Sequence, residues 1–263
     1  MIIIGMGRVG RGLKGLAGEC GEPAQSVSRD MGWDQIDPKG EGPILVCVNA
    51  GDIASVIGRV PVARTRDLVF IQNGMLDTFL EGCECSGNTR GLLYFAVPSL
   101  GAPVQPGGPS VFTGQHSEAV VDWLQGIGLE AHVIAPLKFR NQMSSKLIWN
   151  CTFGLLCDIH DESVDMVVAN HGKDVSALIS DLVQISNRAI GTTLGGPETT
   201  EQLCAYSNSI RGYRATLKQW NWRNGWFVEA GKRLGQTDGC HLDLLAERNR
   251  RVGTGDPIKT TQS

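Results

Sequence analysis

The chain has 263 residues and a mass of 28.3 kDa, enough for one large domain or two ordinary ones. Hydrophobic residues make up 41% and charged residues 19%, a balance that excludes a disordered chain. With 24 Lys+Arg against 27 Asp+Glu the formal charge is −3, which excludes an electrostatic footprint for nucleic acid or an anionic membrane.

The sequence opens on a β-branched run, Ile2-Ile3-Ile4, read as a first strand. No basic segment with an apolar stretch and cleavage site is present, so a targeting segment is expected to be absent or already removed. No apolar stretch reaches the roughly 18–20 residues that span a bilayer. Glycines follow at 5, 7, 10 and 12, and a helix is expected to end near Gly18. Ser26-Val27-Ser28 reads as a weak second strand and residues 44–48 as a clearer buried one. Residues 52–59 read as a helix, and 67–72 as a strand stopped by Asn73-Gly74. Residues 92–97 read as a further strand broken by Pro98. Residues 101–114, rich in glycine and proline, read as an excursion or hairpin at the sheet edge. A helix over 117–126 and a last strand over 129–135 complete this half. Strands alternating with short helices predict βαβ units, and their continuous apolar runs predict a mainly parallel sheet covered on both faces.

After Pro136 the texture changes. Long amphipathic helices are expected from about 140 to 193, interrupted by Gly195-Gly196-Pro197, then helix over 198–207 and again over 213–235. The tail from Asn249 is polar and expected to fray. The fold class is therefore α/β: an N-terminal Rossmann-type doubly wound sheet over 1–138, an all-α domain over 139–250, and a polar tail over 251–263. Eight cysteines lie scattered without paired CxxC knuckles, so no structural zinc site is expected. They suit a reducing compartment, the cytoplasm or a reducing organelle lumen. Cys83-Glu84-Cys85 reads as thiols in a loop near Gly82 and Gly87, or as a redox or metal pair.

The chain carries 34 glycines in 263 residues, nearly double the usual share of about 7%. Three of them carry a motif. Gly5-Met6-Gly7-Arg8-Val9-Gly10 is GxGxxG directly after a strand and opening a helix. The first glycine makes the tight turn, the second lets the backbone approach a pyrophosphate, and the third lets helix and strand pack closely. Free N–H groups and the helix dipole then favour anionic phosphates. Gly5, Met6, Gly7, Arg8, Val9 and Gly10 are the candidate cofactor loop. The end of the second strand chooses between cofactors: an acid there bonds the ribose of NAD, an arginine accommodates the 2′-phosphate of NADP. Ser28-Arg29-Asp30 offers both; Arg29 points to NADP(H), and Asp30 keeps NAD open.

Further islands follow. Gln72-Asn73-Gly74-Met75 ends a strand. Lys146-Leu147-Ile148-Trp149-Asn150-Cys151 opens the helical half, and Lys146 and Asn150, spaced i and i+4, share one helix face. Ser207-Asn208-Ser209 and Asn224-Gly225 come later. Together with the glycine loop and Arg29, these resemble the ketopantoate reductase family, within the wider 6-phosphogluconate-dehydrogenase-like group.

The resemblance implies reduction of 2-dehydropantoate with NADPH, the Rossmann half holding the cofactor and the helical half closing over the substrate. It implies Lys146 as the acid that protonates the carbonyl oxygen. Such a role has a physical basis: a lysine desolvated at the site has a lowered pKa and can stabilise or protonate the alkoxide that hydride transfer creates. Asn150 would bond the substrate, or pack its helix. Asn73 would lie near the nicotinamide ribose and the substrate, or serve as a turn residue. Ser207 would contact the substrate carboxylate, or cap a helix. Three positions depart from the family. Gly154 stands where a second asparagine is usual, and so reads as a missing polar contact. Asn49 stands where a lysine follows the third long strand, on the cofactor side. Gln219 stands where an acid precedes the last Asn-Gly, and would contact substrate without carrying charge. They point to a different substrate, such as another small 2-oxo acid or related carbonyl compound, or to an inactive NADP(H)-binding protein.

Trp220, Trp222 and Trp226 cluster beside Tyr213 and Phe227, with Trp222 and Trp226 expected on one helical face; they read as core or dimer interface, or as an aromatic wall for substrate. His160, between Asp158 and Asp161-Glu162, reads as a solvated helix end, and no metal is expected. The expected partners are a small-molecule substrate and a second copy bound through the helical half.

Overall fold

The computed structural model describes residues 1–236 and 238–252. The chain divides into two compact units, the first Met1–Phe139 and the second from Arg140 on. The expected polar tail over 251–263 lies, from 253, outside the described residues.

The first unit is a seven-stranded sheet in the order β2-β1-β3-β4-β5-β8-β9. Its strands are β1 (Ile2–Ile4), β2 (Gln25–Val27), β3 (Ile44–Val46), β4 (Leu68–Phe70), β5 (Thr89–Leu92), β8 (Ser110–Thr113) and β9 (Ala131–Val133). All neighbours pair in parallel except β5 and β8. The helices between them are α1 (Arg8–Glu19), α2 (Ile53–Ile57), α3 (Asp77–Gly82) and α4 (Ser117–Gly126). Both sheet faces are covered, so consecutive residues Ile44, Leu45 and Val46, like Leu68, Val69 and Phe70, are all buried. On one face Ile3, Leu45, Val69 and Phe112 pack with Leu13 and Ala17 of α1 and Val120 and Leu124 of α4.

Two expectations shift here. The strand expected at 92–97 enters the sheet earlier, as β5, while its apolar end forms β6 (Phe95–Ala96), paired antiparallel with β7 (Gln105–Pro106) in a separate two-stranded sheet. The excursion over 101–114 ends in a true member of the main sheet, β8. Gly91 lies opposite Phe112, and a Cβ there would sit 2.2 Å from the phenylalanine ring, so the glycine makes the space that lets the ring cover the strand.

The second unit is all helical: α5 (Pro136–His160, which starts at the end of the first unit), α6 (Val164–Asn170), α7 (Gly172–Ile190), α8 (Gly196–Ser209), α9 (Asn224–Arg233) and α10 (Cys240–Val252). Leu147, Ile148, Cys151, Phe153, Leu155 and Leu156 of α5 are buried, so the second half of this helix, expected to be amphipathic, is covered on nearly every side. α7 buries Val175, Leu178, Ile179, Leu182 and Ile185, an apolar stripe at three- and four-residue spacing. The helix expected over 213–235 is shorter. Residues 210–223 are irregular apart from a 3-10 turn at Trp220–Trp222, and α9 begins only at Asn224. Trp222 and Trp226 therefore do not share a helix. Asn249 to Val252, expected to fray, extend α10. All eight cysteines are free thiols, and no helix among the described residues is long and apolar enough to cross a membrane.

Candidate functional site

β1 lies between β2 and β3, so the chain winds outward in both directions from it, and the loops after β1 and β3 meet at the carboxyl end of the sheet. Ligands of doubly wound sheets bind at this switch point. The glycine loop occupies it. Gly5 has φ +100°, and a Cβ there would lie 2.9 Å from the Cys47 carbonyl, so the first turn requires glycine on both counts. A Cβ on Gly10 would lie 1.9 Å from the Gly5 oxygen, which is the close approach of helix to strand. A Cβ on Gly7 would meet nothing within 4 Å, so the space beside it is open. No side chain caps the first turn of α1. Its N–H groups, which have no intrahelical acceptor, face outward from an N-terminus with positive dipole character. This geometry fits a dinucleotide pyrophosphate. Arg8, exposed, donates to the Pro98 carbonyl at 3.3 Å, and Met6 and Val9 pack against the core.

Arg29 stands two residues past β2 and Asp30 three, both exposed. A residue not singled out in the sequence joins them. Arg59 donates to the Arg29 carbonyl at 2.5 Å and stacks over the Trp33 ring at 4.1 Å. Trp33 itself donates to the same carbonyl at 3.3 Å. The Arg59 guanidinium is thus held at the end of β2, on the backbone of Arg29. Nothing local in the sequence marks Arg59, because 30 residues separate it from Arg29. Asn49 is exposed just after β3, and Asn73 is exposed after β4, next to Gly74 with φ +111°. Gln72 ties the two strand ends together, its amide donating to the Val46 and Val48 carbonyls at 2.7 and 3.1 Å. Its buried Oε1 has no partner.

In the second unit, Lys146 lies on α5. Burial, and then the Arg223 guanidinium, lower its ammonium from 10.5 to about 8. Asn150 is one turn on, and its amide donates to the Lys146 carbonyl at 2.7 Å, so the helix brings the pair together as expected. Ser207 does not join them. Its fully buried hydroxyl accepts from Trp149 Nε1 at 3.0 Å and donates to the Leu203 carbonyl at 2.9 Å. It sits within α8, neither capping the helix nor offering a group to a substrate. Gln219 is exposed, in the left-handed region with φ +53°, at the entrance to the 3-10 turn.

Gly154 has a different meaning from the one its spacing suggests. A Cβ there would lie 2.9 Å from the Thr216 carbonyl oxygen, so the glycine lets the irregular segment pack directly on α5. Gly154→Asn is accordingly expected to destabilise the protein rather than to restore a polar contact. Overpacking costs ~1–3 kcal/mol, and removing a helical glycine returns up to ~1 kcal/mol. Thermal denaturation should show a Tm lowered by roughly 2–8 °C. An unchanged Tm would refute this packing role.

The residue before Asn224-Gly225 is the other one that sequence reasoning missed. Arg223 is 5% exposed. Asn224 is tied through Oδ1 to His241 Nε2 at 2.8 Å, and burial lowers the His241 imidazole to about 4. The available signal was a cation inside an otherwise aromatic and amide-rich stretch. Trp226 and Phe227 are buried and meet edge to face at 4.8 Å, which makes them core. His160 ends α5, half-buried, with its ring stacked on His171 at 3.5 Å.

No protein-family profile matches the sequence, and no curated protein matches it. Solved structures do. A ketopantoate reductase from Ralstonia eutropha matches with a TM-score of 0.71 and 17% identity, covering 96% of this chain and 100% of its own. D-mandelate dehydrogenase in complex with NADH matches with a TM-score of 0.73 and 14% identity, covering 95% and 98%. A dimeric ketopantoate reductase from Staphylococcus aureus matches with a TM-score of 0.69 and 14% identity, covering 95% and 98%. The chain has the ketopantoate reductase fold.

Proposed function

We propose that the protein is an NADPH-dependent reductase of a small 2-oxo acid or a related carbonyl compound, with Lys146 as the general acid. The observation that carries this reading is the lysine lowered to about 8, on a helix of the second unit, in a chain whose first unit presents an open glycine loop at the sheet's switch point. A reductase using a nicotinamide cofactor is supported by the neighbours, one of which is named for a ketopantoate reductase and another of which was solved with NADH.

Gly5, Gly7, Gly10 and the first turn of α1 would hold the pyrophosphate, with Met6, Arg8 and Val9 shaping the loop. Asn49, Asn73 and the unpartnered Gln72 Oε1 lie at the same carboxyl edge and would serve the nicotinamide end. When bound, the reduced cofactor supplies a hydride to the carbonyl carbon. Lys146 gives its proton to the carbonyl oxygen, so one oxo acid, one hydride and one proton become one hydroxy acid. Asn150 would orient the substrate through its amide oxygen. Turnover of reduced cofactor against a panel of 2-oxo acids, 2-dehydropantoate among them, tests this reading. NADPH binding without turnover on the whole panel would favour the second reading, a non-catalytic NADP(H)-binding protein. The exposed Gln219, where the family resemblance expects an acid, favours that alternative.

The cofactor preference follows from Arg29 and Arg59. Charge-assisted hydrogen bonds to phosphate contribute enough for each alanine variant to weaken NADPH by ~10–100-fold. NADH, lacking the 2′-phosphate, should be affected far less. Equal losses for both cofactors in a fluorescence titration would overturn the NADP(H) assignment. A homodimer through the helical unit and residence in a reducing compartment, which suits eight free thiols, belong to the same proposal.

A further inference from the structure

Arg223 is buried, yet no hydrogen bond or ion pair takes up its guanidinium among the described residues, and its Nε is a buried donor without an acceptor. Its situation differs from that of the other buried arginine. Arg64 is 2% exposed, but its guanidinium meets Asp67 at 2.5 Å and two backbone carbonyls. An arginine cannot escape an uncompensated burial by losing its proton, because its pKa stays above ~12 in water and falls only modestly in proteins. Burial lowers even this guanidinium from its usual value. A buried charge without a partner costs several kcal/mol in general, so an unmatched cation here needs a reason.

Its surroundings do not supply the counter-charge. The groups whose fields reach it are Cys151, Tyr213 and Lys146. Burial pushes the Cys151 thiol up, which keeps it neutral. Lys146 is a second cation. Among the described residues no carboxylate pairs with Arg223, although six other arginines do meet one. The backbone holds the side chain in place. The Trp220 carbonyl accepts from the Arg223 N–H at 3.1 Å, and Arg223 opens α9 with φ −129° and ψ −109°, outside the well-populated regions. On its far side, Gly225 packs so tightly against Trp220 that a Cβ would come within 2.6 Å of the indole nitrogen. Asn224 is pinned to His241. The turn thus presents one largely buried guanidinium, its Nε without an acceptor, beside the lysine.

We propose that Arg223 is a carboxylate anchor: its guanidinium binds the carboxylate of a 2-oxo acid while the neighbouring Lys146 ammonium faces the adjacent carbonyl oxygen. The planar fork of a guanidinium matches the two oxygens of a carboxylate. In a 2-oxo acid, the carboxylate and the reacting carbonyl are on adjacent carbons, so a ligand of this class needs two neighbouring cations of different kinds. The identity of the ligand rests on the reductase reading; the existence of an anion site does not.

The test uses Arg223→Met, which removes the charge and keeps an unbranched apolar stem, and oxamate, a 2-oxo acid isostere that is not reduced. Calorimetry on the full chain with saturating NADPH should show oxamate binding to the unaltered protein and at least ~10-fold weaker binding to the variant, as expected for loss of a charge-assisted pair. NADPH affinity should be unchanged. The ligand-free variant should melt at the same temperature or higher, because an uncompensated charge has been replaced by an apolar chain. With pyruvate, the loss should lie mainly in KM and should exceed by at least ~10-fold any change in the reduction of 2,3-butanedione, which lacks the carboxylate.

A Tm lowered by more than ~5 °C would show a structural arginine and overturn the proposal. So would equal oxamate affinity in the two proteins, or no oxamate binding to the unaltered one. If no carbonyl compound is turned over but Arg223→Met still abolishes oxamate binding, the anion site stands and the reductase reading falls. If pyruvate is reduced with the same KM by both proteins, the reductase reading stands and the anchor falls.

Discussion

Replacing Lys146 by alanine is expected to lower kcat for carbonyl reduction by ~10²–10⁴-fold, the usual contribution of a positioned general acid, while NADPH still binds. The sign of the pH dependence follows from the lysine's environment. Burial, first, and the Arg223 guanidinium, second, disfavour the charged form and bring it to about 8. On the proposed mechanism the acid form is the active one in reduction. kcat/KM should therefore be flat below pH about 8 and fall tenfold per unit above it. In the reverse direction the neutral amine is required, so oxidation of the hydroxy acid should rise through the same range. Lys146→Arg separates charge from proton donation: it keeps a cation but cannot release a proton at these pH values. It should stay as inactive as the alanine variant if proton transfer is the lysine's contribution. A pH profile of the unaltered protein with no break between about 7 and 9 would exclude Lys146 as the acid.

Much of the α/β unit was legible because a parallel sheet buried on both faces writes itself as continuous apolar runs. Ile2-Ile3-Ile4, Ile44-Leu45-Val46 and Leu68-Val69-Phe70 all became strands where they were expected. The errors have a common physical origin. Thr89-Arg90-Gly91 is not an apolar run, and it becomes a strand because Thr89 and Arg90 pair with Val69 and Phe70. β8 hid in a segment rich in glycine and proline, and its place in the sheet depends on Gly91 leaving room for Phe112. Both facts are tertiary.

The candidate site divides in the same way. The glycine loop is local, since its turn, open space and close helix approach involve neighbours in sequence and one adjacent strand. The helical half is not. Ser207 looked like a substrate contact until Trp149, 58 residues away, proved to hold its hydroxyl. Gly154 looked like a lost side chain, and Thr216 shows it to be a packing requirement. Arg223 carried no weight in the sequence because isolated arginines are ordinarily exposed; only its burial without a counter-charge gives it meaning. A resemblance read position by position carries Lys146 and Asn150 together on α5, but it does not show what packs against Ser207 and Gly154.

The second large effect is expected in the glycine loop, where two glycines should fail in different ways. Gly10→Ala places a methyl group 1.9 Å from the Gly5 oxygen, a backbone atom already fixed because the Gly5 N–H donates to Val27 at 2.8 Å. Neither side can yield without parting α1 from β1. The expected result is loss of soluble protein or a Tm lowered by roughly 5 °C or more, from overpacking of this kind. Gly7→Ala meets no protein atom within 4 Å, so it should fold with an unchanged Tm. The methyl group would nevertheless stand where the backbone must approach a pyrophosphate, and NADPH affinity should fall ~10-fold or more as the direct phosphate contacts are lost. The pair separates fold from function within four residues of chain. If Gly7→Ala bound NADPH as tightly as the unaltered protein, the open space would not be a phosphate site, and the cofactor would have to be sought elsewhere on the sheet edge.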